Sequence, residues 1–139
     1  MTTPRACSVA DALAVVGDRW SLLVVRELFF KAHRFNEIAD NTGAPRDILT
    51  TRLRKLEEVG VLERREYSST PKRYEYHLTE AGRALSPVIQ ALRQWGDDFV
   101  AEGAPPAVFE HACGEPFTAV LCCQACGAAA EAGSLHVRR

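Results

Sequence analysis

The amino-acid sequence predicts a mainly α-helical fold with one small β-hairpin (α+β), on three observations. Apolar residues recur at helical spacing through most of the first sixty positions. Two short runs between Val61 and Leu78 flank a polar turn, and the second alternates strictly. A long amphipathic stretch follows, and the chain then becomes cysteine-rich.

Each element has its own signal. Ser8 to Val16 reads as a short helix, with Val9, Leu13 and Val16 at helical spacing. Ser8 is expected to cap it with Asp11 in a capping box, and Gly17 to end it. Asp18 is placed to cap a second helix, Arg19 to about Phe30. Trp20, Leu22, Leu23, Val24, Val25, Leu28 and Phe29 make that helix apolar around much of its circumference, which predicts a central position. Phe35 to Ala39 suggests a third helix with Phe35, Ile38 and Ala39 inward, followed by a turn at Asn41-Thr42-Gly43. Pro45 stands at the expected start of a fourth helix that Gly60 ends. Val61–Tyr67 and Arg73–Leu78 are the expected strands, with His77 on an outward side. Thr79 caps a fifth helix to about Val100, with an apolar stripe of Leu85, Val88, Ile89, Leu92, Trp95 and Phe99 and a kink at Pro87.

Helices three and four around a glycine turn fit a helix-turn-helix, and the hairpin directly after them makes a wing. The expected architecture is therefore a dimeric winged helix-turn-helix over residues 1–102. A Gly-Ala-Pro-Pro linker over 103–107 and a cysteine-rich extension over 108–139 complete the organisation.

Bulk composition is that of a globular protein, with 47% hydrophobic and 25% charged residues. No apolar run approaches the roughly 20 residues that span a bilayer. No signal-peptide pattern opens the chain, so the cytoplasm is the expected location and no membrane partner is expected. Net charge is −1, but residues 44–73 hold eight basic and five acidic side chains, a local excess of +3. A locally basic element on an acidic body is suited to phosphate.

The fourth helix carries the sharpest signal. Advancing roughly 100° per residue from Leu49 brings Leu53 and Leu56 onto one face, with Ile48 and Val59 beside them. Asp47, Thr51, Arg54 and Glu58 point the other way, with Thr50 and Lys55 on the flanks and Arg46 in the first turn. Such side chains reach base edges and phosphates in a major groove. Lys72 and Arg73 on the wing are expected in or beside the minor groove. The candidate DNA-binding set is thus Arg46, Asp47, Thr50, Thr51, Arg54, Lys55, Lys72 and Arg73. A solvated mixed-charge helix face is the bland alternative, and the adjacent basic wing weighs against it.

From Cys7 to Val100 the sequence resembles the HxlR-type family of winged helix-turn-helix regulators. The matching segments are Cys7-Ser8-Val9, Gly17-Asp18-Arg19-Trp20-Ser21-Leu22-Leu23 and Arg34-Phe35-Asn36-Glu37. They continue through Arg46-Asp47-Ile48-Leu49-Thr50-Thr51-Arg52-Leu53, Leu56-Glu57, Gly60-Val61-Leu62, Arg73-Tyr74-Glu75-Tyr76-His77-Leu78-Thr79 and Gly82. The resemblance implies a homodimer on a pseudo-palindromic operator of double-stranded DNA, as repressor or activator, with the first and last helices building the interface. Val9, Leu13, Leu92, Trp95 and Phe99 exceed what one small domain needs to cover, which suits that role.

The chain has five cysteines, and Cys113, Cys122, Cys123 and Cys126 crowd its last 27 residues. With an odd count and no secretion signal, metal binding or thiol chemistry is expected over a disulfide framework. His111-x-Cys113-Gly114 and Cys123-x-x-Cys126-Gly127 form two knuckle-like turns, so a structural zinc held by His111, Cys113, Cys123 and Cys126 is the expectation. His136 is an alternative to His111, and free thiols or a disulfide within Cys-x-x-Cys are the competing readings. The resemblance supports a structural knuckle, since long family members carry similar tails.

Cys7 lies just before the first helix, where the helix dipole favours a thiolate. The resemblance implies oxidant or electrophile sensing at this position, while the residue types alone are equally consistent with a small apolar interface residue. Trp20, Phe29, Trp95 and Phe99 are candidates for a pocket taking a small aromatic effector, or simply for core. No nucleophile-base order, glycine-rich phosphate loop or paired-carboxylate motif stands out, so no enzymatic activity is expected. The competing class is a winged-helix module for protein association without direct DNA readout.

Overall fold

The structure is a computed structural model and describes residues 1–138. Its elements are α1 (Ser8–Val16), α2 (Ser21–Phe29), α3 (Phe35–Thr42), α4 (Arg46–Glu58), β1 (Leu62–Ser69), β2 (Lys72–Leu78), α5 (Glu80–Arg83) and α6 (Ser86–Phe99). A short 3-10 turn lies at Ala132–Ser134. The chain divides into two compact units, Met1–Ser86 and Pro87–Arg139. The division falls after Ser86, the first residue of α6, and the rest of α6 contacts the tail within the second unit. The Ala119 amide donates to Gln94 Oε1 at 2.7 Å, and the Arg93 guanidinium lies 4.7 Å from the Phe109 ring centre.

In the first unit α2 is the hub, packing against α1, α3, α4 and β2 as its wide apolar face requires. The core around it is Val24, Val25, Leu28, Ile38, Leu49, Leu53, Leu56 and Leu62, all nearly or fully buried. Each buried leucine of α4 contributes about 1.5–3 kcal/mol. That outweighs the few tenths of a kcal/mol per residue that β-branched Thr50 and Thr51 cost a helix.

Several boundaries differ from the sequence expectation for identifiable reasons. Cys7, not Ser8, takes the cap position of α1, and no side chain caps that end. Helix α3 runs on through Thr42, whose hydroxyl donates to the Ile38 carbonyl at 2.6 Å, so the turn begins at Gly43 in the left-handed region, φ +72°. Pro45 is the N-cap of α4 and not its first helical residue. Val59, expected beside the core, is exposed at the end of α4. The long helix expected from Thr79 to Val100 is two helices. Proline lacks an N–H and its ring clashes with the carbonyl four residues back; for Pro87 that residue is Arg83, where α5 ends.

The hairpin is antiparallel from Leu62 opposite Leu78 to Ser69 opposite Lys72, with an irregularity at Tyr67 between Glu66 and Ser68. His77 is not outward. It is half-buried, because the His33 ring stacks on it with centroids 4.1 Å apart. The His33 carbonyl accepts the Tyr76 amide at 2.8 Å, and His33 Nδ1 lies 2.8 Å from the Tyr76 carbonyl oxygen. Gly82 is buried where an added Cβ would stand 2.1 Å from the Val61 carbonyl oxygen, so α5 packs closely on the strand entry only because this residue has no side chain.

Candidate nucleic-acid interface

The outward side of α4 is built by the burial of its other side. With Leu49, Leu53 and Leu56 in the core, Asp47, Thr50, Thr51, Arg54 and Glu58 are exposed. The Thr50 and Thr51 hydroxyls donate to the Arg46 and Asp47 carbonyls at 2.8 and 3.0 Å. This local bonding fixes each rotamer and leaves the methyl group and the acceptor lone pairs of the oxygen for an incoming base. Arg46 donates to Asn36 Oδ1 at 2.8 Å and lies 5.5 Å over the Phe35 ring, which links the starts of α3 and α4. The Arg54 guanidinium has no hydrogen bond or ion pair among the described residues, and it lines a hollow of about 140 Å3 with Thr50, Arg64 and Tyr76.

Lys55 departs from the expected set. Its ammonium donates to the Ala14 carbonyl of α1 at 2.7 Å, so the side chain lies along the body of the domain. On the wing Arg64 pairs with Glu57 at 2.9 Å and Arg65 with Glu63 at 2.6 Å, which neutralises two of the basic residues of β1. Lys72 is only loosely paired, 3.9 Å from Glu66, and the Arg73 guanidinium has no partner among the described residues. A groove of about 520 Å3 runs between the start of α3 and the wing, lined by Arg34, Lys72, Arg73, Tyr67 and Tyr74 among others. Arg34 stood in the sequence only as part of a motif. Here it stacks 4.3 Å over Tyr67, lies 3.6 Å from Glu75 and adds a third cation to the groove. The His77 ring, hydrogen-bonded to Glu75, is the main influence holding that carboxyl below its ordinary range, against slight burial and with help from Arg34.

The orientation of α4 depends on a residue outside it. Arg52 Nε, buried, lies 3.5 Å from Asp18 Oδ1, and the Asp18 carboxylate also accepts the Trp20 and Ser21 amides at 2.9 and 3.0 Å and the Ser21 hydroxyl. Burial opposes ionisation of Asp18, but these hydrogen bonds and Arg52 together hold its carboxyl below the usual value of 3.8. A depressed folded pKa stabilises the fold above the unfolded value, and that contribution disappears as pH falls through the folded one. Asp18→Asn is expected to lower stability at pH 7 by about 1 kcal/mol, the difference between charge-assisted and neutral hydrogen bonds. That corresponds to a melting temperature lower by roughly 4–8 °C. The gap to the unmodified protein should close below pH 4 in thermal melts; an undiminished gap at pH 3 would exclude the carboxylate as its source. Asp18 was expected to cap a helix starting at Arg19; α2 starts at Ser21 with Trp20 at the cap position, and the hold of Asp18 on Arg52 was not foreseen. Sequence reading also missed Glu27, buried in the core and satisfied by Arg26 and by Asn41 Nδ2 at 2.9 Å.

The remaining candidates lie elsewhere. Cys7 is exposed at the cap of α1, and its carbonyl accepts the Asp11 amide. Trp20 and Phe29 are half-buried in the first unit. Trp95 and Phe99 are exposed on α6 in the second, ring centroids 6.1 Å apart. In the tail, His111–Glu115 and Cys123–Ala128 form two tight turns, each with its glycine at positive φ. Among the described residues no three His, Cys, Asp or Glu side chains gather so as to hold a metal. The His111 Nδ1 accepts the Cys113 amide within its own turn at 3.3 Å.

A model of the HxlR-like helix-turn-helix matches residues 15–104. The chain belongs to this family. A regulator of Mycobacterium bovis, described as HTH-type and uncharacterized, is 50% identical over 122 residues, covering 86% of this chain and 77% of that protein. A counterpart in Synechocystis is 36% identical, covering 72% and 75%. Among solved structures, PA1607, described as a candidate transcription factor, superposes with a TM-score of 0.83 at 36% identity over 96% of this chain and 95% of that one. The reduced form of the Bacillus subtilis regulator YodB gives 0.60 at 31% identity, covering 73% and 100%. The reduced form of the redox regulator HypR gives 0.62 at 32%, covering 66% and 92%. This family member is a DNA-binding transcriptional regulator with a winged helix-turn-helix fold. No helix among its described residues is long and apolar enough to cross a membrane.

Proposed function

We propose that the chain acts in the cytoplasm as a homodimer that reads a pseudo-palindromic operator, placing α4 in successive major grooves and the wing beside the flanking minor grooves. The observation that carries this reading is the outward face of α4, where Thr50, Thr51 and Arg54 stand exposed beside a wing carrying Arg73, both guanidinium groups without a partner among the described residues. Arg46, Arg34 and Lys72 take the phosphates, and Asp47 screens the first turn against wrong bases. Lys55 is left out of this contact set. The function proposed is regulatory and not catalytic.

The test is selection of bound sequences from random duplex DNA, followed by affinity measurement against salt. The expected outcome is an inverted repeat with half-sites one helical turn or a multiple apart. Affinity should fall steeply with salt, as counterion release requires. Recovery of no preferred sequence and a flat salt response would favour a protein-association module instead.

The signal we favour is oxidation at Cys7, supported by its exposure at the start of α1 and by the likeness to YodB and HypR. Operator affinity is expected to change at least several-fold on treatment with a peroxide or a quinone, and Cys7→Ser is expected to remove that response. Identical responses in the two proteins would return attention to a small aromatic effector near Trp20 and Phe29 or near Trp95 and Phe99.

A further inference from the structure

Helix α1 faces solvent for most of its length. Ser8 to Ala14 are all exposed, and Val16, in the last turn, is the one buried residue of the helix. Its direction is therefore decided where it joins the domain. The last carbonyls of a helix have no partner within it. The Leu13 carbonyl accepts the Gly17 amide at 2.8 Å, and the Ala14 carbonyl accepts the Lys55 ammonium of α4 at 2.7 Å. No basic residue of α1 stands in its own last turn, so Lys55 supplies from α4 the positive charge that favours a helix C-terminus. Three residues earlier on α4, and so on the same edge, Arg52 lies 3.5 Å from Asp18 in the corner that follows α1. The end of α1 and the corner after it are thus both tied to the recognition helix. A helix of nine residues is about 13 Å long, so a tilt at this tie is magnified at the free end of α1.

We propose that Lys55 is a positioning residue: its bond to Ala14 fixes the angle between α1 and α4, and thereby the spacing of half-sites that the dimer accepts. This rests on the homodimer reading, in which Val9 and Leu13, one helical turn apart and exposed on α1, face the second copy while each α4 enters its own half-site. The angle between α1 and α4 then sets the distance and rotation between the two recognition helices. Each base pair added between half-sites moves one of them by about 3.4 Å and turns it by roughly 35°. A stiff joint between α1 and α4 rejects that change, and a loose joint follows it. Lys55 touches no DNA in this scheme and acts through the placement of α4.

The test measures the affinity of the full-length chain for duplexes that carry the two selected half-sites, at the selected spacing and with one base pair inserted or removed between them. Lys55→Met keeps the aliphatic stem and loses the ammonium, and Lys55→Arg keeps a donor. The unmodified protein is expected to lose about 100-fold on the altered spacings, as linked contacts do when geometry forbids joint engagement. Lys55→Met is expected to bind the selected spacing nearly as well and to lose about tenfold less on the altered ones, and Lys55→Arg to restore the narrow profile. A general structural defect lowers affinity on every spacing alike, and that result overturns the proposal. So does a profile in Lys55→Met as narrow as that of the unmodified protein, or one in Lys55→Arg as broad as that of Lys55→Met. An unmodified protein indifferent to spacing overturns the homodimer reading and this inference with it, so the two failures are told apart.

Discussion

Trp95→Glu is expected to leave the chain monomeric where the proposed homodimer would form, and to cost operator affinity by about two to four orders of magnitude. No residue of α6 is buried, yet Val88, Leu92, Trp95 and Phe99 recur along it at positions 0, 4, 7 and 11 and so share one face. Leu92, Trp95 and Phe99 expose 52%, 57% and 76% of their surface. Burying side chains of this size is worth about 1.5–3 kcal/mol each, and a twofold axis counts each of them twice. A stripe of this kind left in water is the mark of an interface. Val9 and Leu13, exposed on α1, offer a second apolar surface to a partner. A glutamate in the centre of such a seam would bury an unpaired carboxylate on both sides of the axis. The affinity loss follows because two linked half-site contacts reinforce each other by about 100- to 10,000-fold without new contacts. Sedimentation velocity and operator titration on the same sample check both parts. A dimer of undiminished stability would place the interface elsewhere.

Arg54→Ala is expected to weaken cognate operator binding by about 1–3 kcal/mol per subunit, roughly 5- to 150-fold, while binding to unrelated duplex changes little. The guanidinium is unpaired among the described residues and projects beside Thr50 from the middle of α4, so the free protein offers it no competing acceptor. Lys72→Ala should behave differently. Its ammonium is a loosely held charge, and losing it should lower affinity evenly across sequences and reduce the salt slope by about one. Lys55→Ala should leave DNA affinity nearly untouched, because the side chain is committed to Ala14. Titrations of the three variants on cognate and random duplexes at two salt concentrations distinguish these outcomes. Equal losses for Arg54→Ala on both duplexes would remove base readout from its role.

The parts of the molecule that were legible in the sequence are those fixed by periodicity. Leu49, Leu53 and Leu56 set the inward face of α4 without any knowledge of what they pack against, and the apolar excess on the last helix is the stripe now found uncovered. Asp18 was legible as an acceptor at the entry to α2 because such bonding is local, a matter of three residues, although the helix starts at Ser21 with Trp20, not Asp18, at its cap position. What escaped involves partners distant in sequence or the limits of a long side chain. Lys55 lay on the flank of a helical wheel, and no wheel shows that a flexible stem will find a carbonyl 41 residues back. His77 alternates outward on its strand, but the α2–α3 connection brings His33 over it.

The bonds joining His33 to Tyr76 have a wider consequence. A hairpin attached only through its own two ends would hinge and follow whatever duplex it met. Here the connection between α2 and α3 grips the returning strand through main chain and side chain alike. The spacing between α4 and the wing that carries Arg73 is thereby set within the free domain. On the proposed reading the domain works as a fixed calliper, and a site whose minor groove is too wide or too narrow would have to deform to be gripped, which would make DNA stiffness itself part of the code.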